Sequence, residues 1–194
     1  MATVAALPAL GACRRSGQLQ RPESCAVPQR ASGPGRALDG AEWEALRAAC
    51  ARLLPTDQDP GAEEANVVNY IDSQLSHPPI SAFRAELAAG VAQMDELARA
   101  SGARRFVELT PSRQDEVLRR LQRGVRMTRG RRRQDSRHFF VVLLSLTLEG
   151  FLGHPLYGGN RDRVGWRFIG FDPRPPHPRC PYASGVARSP GSPA

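Results

Sequence analysis

The sequence predicts an all-α protein, a small irregular bundle of about five helices with a C-terminal loop rich in aromatic residues and glycine. Two observations carry this. Apolar residues recur at three- and four-residue steps in several separate segments, the spacing of one helix face, and no stretch alternates apolar and polar residues over the length of a strand. At 194 residues the chain fits one domain with length to spare.

Residues 14–37 are rich in Gly, Pro, Ser, Gln and Arg, with few large apolar side chains, and are expected to be disordered. Asp39-Gly40-Ala41-Glu42 has the form of a capping box, so the first helix should start there. Trp43, Leu46, Cys50 and Leu53 then mark one apolar face, and Pro55 ends it. The stretch Pro55 to Gly61 reads as a turn. A second helix follows, with Val67, Val68, Ile71 and Leu75 on its inner side. After Pro78-Pro79 a longer helix is marked by Phe83, Leu87, Val91, Met94 and Leu97.

Phe106 and Leu109 form a short connector. Thr110-Pro111 is the order favoured at a helix start, an N-cap followed by proline, and Val117, Leu118 and Leu121 give that helix its buried stripe. The stretch Phe139 to Leu148 is apolar on nearly every side. It is shorter than the roughly 18 to 20 residues a bilayer span needs, so it is expected to be the central helix of the bundle. From Pro173 on, proline-rich sequence predicts a disordered tail. The expected division is thus 1–37, 38–172 and 173–194.

All 27 basic residues are arginine, and the formal net charge is +8. The segment from Arg119 to Arg137 holds nine arginines against one acid, Asp135, and accounts for that excess by itself. Such a patch could bind nucleic acid through phosphate contacts, and this is the alternative reading of the chain. No aromatic residues interleave the arginines and no recognised binding motif is present, which counts against it.

Cys13, Cys25, Cys50 and Cys180 form no CxxC pair, zinc spacing or haem-attachment motif. Cys50 falls on an apolar helix face, where a small buried thiol is expected. The start of the chain ends an apolar run in Leu10-Gly11-Ala12-Cys13, similar to a lipoprotein signal. No positive charge precedes that run, and Arg14-Arg15 follow it. Two readings stay open: the remnant of an export signal, or an alanine-rich terminus with no such role.

Few residues suggest chemistry. Gly33-Pro34-Gly35 begins no dinucleotide fingerprint. His77, His138, His154 and His177 are isolated; none has a second histidine or a carboxylate three or four residues after it. Asp57 and Asp59 lack the distal glutamate of a calcium loop and suit a turn. Ser145 and Thr147, in the apolar helix, are expected to bond backbone carbonyls. Glu149, at the end of that helix, calls for a partner, with Arg161, Arg163 and Arg167 as candidates.

His154 to Pro173 is the unusual passage, with four glycines and four aromatic residues and no helical period. Thr147-Leu148-Glu149-Gly150-Phe151, Tyr157-Gly158-Gly159-Asn160-Arg161-Asp162, Gly165-Trp166 and Ile169-Gly170-Phe171 together resemble the gluconate 2-dehydrogenase subunit 3 family. Trp43, Leu53 to Asp57, and Val68-Asn69-Tyr70-Ile71-Asp72 extend the resemblance over residues 38–172. It implies a non-catalytic small subunit of a membrane-bound sugar or polyol dehydrogenase. This subunit would bind, stabilise and help export an FAD-containing catalytic subunit of the GMC type by the twin-arginine route. A multihaem cytochrome c subunit would complete the complex. FAD and haem c would lie in those partners and no cofactor in this chain; its location would be periplasmic, membrane-associated through the complex.

The sequence departs from the family at His154, where an acidic residue is expected before the proline, in the enlarged arginine-rich segment, and in lacking an intact twin-arginine signal. The partner-binding residues expected on this reading are Tyr157, Asn160, Arg161, Arg163, Trp166 and Phe168. Glu149, Gly158, Gly159 and Gly165 are expected to be structural, the glycines serving a tight backbone path. For each aromatic residue, simple coverage of the last helix end is the competing reading.

Overall fold

A computed structural model describes residues 33–124 and 136–172 of the chain. Among the described residues there are six α-helices and no strand: α1 (Gly40–Leu53), α2 (Val67–Gln74), α3 (Arg84–Arg99), α4 (Pro111–Arg123), α5 (Ser136–Leu152) and α6 (Val164–Phe168). The all-α expectation is borne out, with one more helix than expected. The extra one, α6, has only five residues, too few to show a period in the sequence. The expectations for residues 1–32, for 125–135 of the arginine-rich segment, and for the tail from Pro173 lie outside the described residues.

The capping box at α1 forms as its sequence dictates. Asp39 Oδ1 accepts the Glu42 N–H at 2.8 Å, and Glu42 Oε2 accepts the Asp39 N–H at 3.0 Å. At α4 the expected cap is incomplete: Thr110 stands before Pro111, but its side chain makes no capping bond. Its carbonyl instead accepts from the Arg113 and Gln114 amides, each at 2.9 Å.

The core lies around α5, which packs against α1, α2, α3, α4 and α6. Leu46, Ile71, Leu87, Met94, Phe106, Leu121, Phe139 and Leu143 are its fully buried large side chains. Two ion pairs tie the helices across this core. Arg52 grips Asp115 with Nε and Nη2, at 2.7 and 2.9 Å, joining α1 to α4. That two-pronged bond holds the Asp115 carboxyl below the usual carboxylate range. Arg84 on α3 reaches Glu42 on α1 at 2.6 Å.

The central helix is not covered all round. Val141, Ser145, Leu148 and Leu152 are exposed along one side of α5, whereas Phe139, Phe140, Val142, Leu143, Leu146 and Phe151 are buried. The bundle thus leaves part of its most apolar helix facing outward. Thr147 behaves as expected, donating its hydroxyl to the Leu143 carbonyl at 2.7 Å, but Ser145 lies on the exposed side.

The chain is also held before Asp39, at the end of the stretch 14–37 that its composition predicts to be disordered. Arg36 and Ala37 are ordered because a buried carboxylate binds their amides. Asp72, fully buried on α2, accepts three successive backbone amides: Arg36 at 3.3 Å, Ala37 at 2.9 Å and Leu38 at 2.8 Å. A buried carboxylate needs such donors, and here they come from the segment leading into α1.

Candidate functional site

The loop after α5 folds back over the C-terminal end of that helix. It forms two 3-10 turns, Pro155–Tyr157 and Arg161–Arg163, and then α6. Asn160 organises it. Its side chain is fully buried, its backbone is left-handed with φ 43°, and its amide donates to the Gly150 carbonyl at 2.7 Å. Asn160 Nδ2 donates to the Gly153 carbonyl at 2.8 Å, while Oδ1 accepts the Gly165 N–H at 2.9 Å. One side chain therefore closes the end of α5 and positions α6.

The glycines are needed because the loop runs against backbone. A Cβ at position 159 would fall on the Gly150 carbonyl oxygen, and one at 165 on the Phe151 carbonyl oxygen. Gly158 lies at φ 101°, against Asn69 of α2. Asn69 is fully buried and donates through Nδ2 to the Gly158 carbonyl at 2.6 Å. On its other side Asn69 Oδ1 accepts from Arg36 at 3.2 Å. Asn69 and Asp72, three residues apart on one side of α2, thus join the entering chain and the C-terminal loop to the same helix.

The structure separates the candidate partner-binding residues into two groups. Asn160 and Trp166 are interior, and Trp166 Nε1 donates to the Leu152 carbonyl at 2.6 Å. Arg161 is a clamp on the turn before α2, donating from Nε to the Glu64 carbonyl at 3.1 Å and from Nη2 to the Glu63 carbonyl at 3.3 Å. These three side chains are occupied within the chain, because the loop's backbone approaches α2 and α5 too closely to leave them facing outward. Tyr157, Arg163 and Phe168 are exposed.

Glu149 is joined to Tyr70, not to an arginine. The Tyr70 hydroxyl donates to Glu149 Oε2 at 2.8 Å, and burial together with this bond raises the Tyr70 pKa. The carboxylate lies at the surface, so the strong partner demanded by full burial is not required. His154 occupies the position before Pro155, where its Nδ1 accepts the Leu156 N–H at 3.1 Å. An imidazole nitrogen here supplies the acceptor that an acidic residue would supply. Its ring meets Trp166 edge-on with centroids 5.4 Å apart.

A cleft of about 350 Å³ lies between α1 and the turn before α2, lined by Trp43, Arg47, Cys50, Glu63, Asn66 and Arg161 among others. Arg47 pairs with Glu63 across it at 2.8 Å. Burial pushes the Cys50 thiol up to about 12, despite a 3.3 Å contact with the Thr147 hydroxyl, so it remains protonated and a poor nucleophile. Among the described residues, no group of three or more His, Cys, Asp and Glu side chains is placed to hold a metal ion. Asp57 accepts the Asp59 amide at 3.0 Å, the local bond of a turn.

The polar residues that stand out in the loop and on α2 are therefore joints of the fold. A family match spans most of the chain: the model of gluconate 2-dehydrogenase subunit 3 matches residues 40–173. The chain belongs to the gluconate 2-dehydrogenase subunit 3 family. No curated protein matches it, and no solved structure does.

The match begins at α1 and takes in α1 to α6 and the loop. The resemblance read from residues 38–172 is borne out by it. The subunit 3 fold here depends on Asn69 and Asp72, whose roles the sequence reading did not assign. Their signal was a pair of polar residues at helical spacing inside a segment otherwise apolar. What buries them, the entering chain and Gly158, comes from far along the sequence.

Proposed function

We propose that this chain is a non-catalytic small subunit that binds, stabilises and helps export the FAD-containing catalytic subunit of a membrane-bound dehydrogenase acting on a sugar or polyol. The family match over residues 40–173 carries the reading, because the matching family is that of a dehydrogenase subunit. The site geometry supports an accessory role. Asn69, Asp72, Asn160, Arg161 and Trp166 are each bonded to backbone groups and hold segments of the chain together. On this reading FAD lies in the partner, and a multihaem cytochrome c subunit of the complex takes the electrons. The complex would be periplasmic and attached to the membrane through its other subunits; among the described residues no helix is long and apolar enough to cross a membrane.

The experiment is co-expression of the full chain, tagged, with the FAD-containing dehydrogenase subunit of its own organism. The expected result is co-purification of flavin absorbance with the tag, and a lower yield of soluble flavoprotein when this chain is omitted. Purification of the flavoprotein in equal yield and activity without it, and no capture by the tag, would overturn the proposal.

A further inference from the structure

Every large hydrophobic residue that is strongly exposed among the described residues falls between positions 141 and 171. Val141, Leu148, Leu152, Tyr157, Phe168, Ile169 and Phe171 are each 38 to 54% exposed, and α1 to α4 contribute none. On α5, Val141, Leu148 and Leu152 follow at steps of seven and four residues, which places them in one stripe along the helix. The loop extends that stripe at its C-terminal end. Phe168 packs edge-on against Phe151 with ring centroids 6.2 Å apart, and Phe171 packs against Trp166 at 5.3 Å. Since Trp166 is itself bonded to the Leu152 carbonyl, the exposed rings of α6 stand beside the end of α5.

The opposite end of the stripe is basic. α5 begins beside the end of α4, where Arg137 donates to the Arg123 carbonyl at 3.0 Å and Ser136 to the Leu121 carbonyl at 3.3 Å. Arg119, Arg120, Arg123 and Arg137 lie at this end; Glu116 pairs with Arg119 and Arg123, and Glu86 of α3 pairs with His138. An apolar centre with charge to one side is the anatomy of a specific protein interface, in which aromatic residues supply the anchors and charge sets the orientation. Exposed apolar surface gathered into one face, with none on the other four helices, also marks that face as one to be covered.

We propose that the α5–α6 face is the surface that docks the catalytic subunit, and that it fits a partner surface apolar at its centre and acidic where it meets the end of α4. This rests on the functional reading above, and it moves the interface. Asn160, Arg161 and Trp166 hold the surface from behind. Leu148, Leu152 and Phe168 form its centre, with Val141 and Arg123 towards the basic end.

The test is capture of the co-expressed FAD-containing subunit by the tagged full chain and by Leu148→Glu, Phe168→Glu and a control, Ala92→Glu. Position 92 is exposed on α3, away from the stripe. Helical circular dichroism and thermal melts accompany each variant, and Val141→Glu provides a further site on the stripe should one variant misfold. Leu148→Glu and Phe168→Glu should each weaken binding at least tenfold while Ala92→Glu leaves it unchanged. Arg119→Glu with Arg123→Glu should slow association and reduce its dependence on salt. Capture by the wild type that folded stripe variants leave intact would overturn the surface alone. No capture by the wild type would overturn the functional reading, and the surface with it. A wild-type homodimer split by Leu148→Glu, or binding to anionic vesicles abolished by it in place of flavoprotein capture, would assign the face to a different occupant and overturn the proposal.

Discussion

Asn160 combines two demands that few side chains meet together. Its backbone is left-handed, a conformation asparagine tolerates better than most residues, and its side chain must both donate and accept in the interior. Asn160→Ala would leave the Gly153 carbonyl and the Gly165 amide without their partner. Each buried orphan costs about 1 to 3 kcal/mol, so a loss of about 2 to 6 kcal/mol in unfolding free energy is expected by urea titration. Asn160→Asp keeps the acceptor for Gly165 but sets a buried carboxylate oxygen against the Gly153 carbonyl, and should destabilise at about pH 7 at least as much as alanine. Gly165→Ala tests a different cause, since it removes no hydrogen-bonding group but its new methyl lands on the Phe151 carbonyl oxygen. α6 must shift, and the melting temperature should fall with the near-ultraviolet signal of Trp166. An unaltered melt would show that α6 is not held against α5 in solution.

The connections between helices rely on two further groups, and each allows a local measurement. Asp72 on α2 gathers the amides of Arg36, Ala37 and Leu38. Asp72→Ala should release that segment while α3 and α4 stay protected, so hydrogen exchange at Ala37 and Leu38 should speed up far more than at Leu87 or Leu118. His154 ties the first turn of the loop through an unprotonated Nδ1. Burial, helped by the nearby Arg163 charge, lowers its pKa below the ordinary value of about 6.5. The folded protein therefore favours neutral His154. Its contribution to stability is present above about pH 6.5 and is lost as pH falls through the lower folded value. His154→Asn keeps an acceptor without a titrating charge, so its melting temperature should vary less than that of the wild type between about pH 7 and pH 5. Parallel profiles would remove His154 from this role. The main helices were legible in the sequence because each carries its own period or a local cap, as Asp39 and Glu42 do. α6 and the cap by His154 were not, because five residues cannot show a period and an imidazole in a capping position has no sequence signature.

What the sequence could not show was which apolar surface finds a partner inside the chain. Phe139 and Leu143 on α5 are buried, while Val141 and Leu148 on the same helix are exposed, and only the positions of the other helices decide between them. Asn160 and Trp166 were legible as important but not as interior, for the same reason: their partners are carbonyls brought close by the path of the loop. Cys50 offers a test of whether the bundle behaves as one cooperative unit. It is buried on α1 and touches Thr147 of α5, so a reagent reaches it only when those two helices part. With the thiol pushed up to about 12, the thiolate fraction at pH 8 is on the order of one part in ten thousand, against about a quarter for an ordinary exposed cysteine. Iodoacetamide labelling, read by mass spectrometry on the Cys50 peptide, should therefore be slower in the native protein than in urea by roughly 1,000-fold. If α1, α2, α4 and α5 open together, the labelling rate should rise with low urea concentrations along the slope of the global unfolding transition. A shallow dependence would mean that α1 separates from α5 locally. The docking face on α5 would then stand on a helix whose packing against α1 is loose, and partner binding should slow the labelling of Cys50 as well.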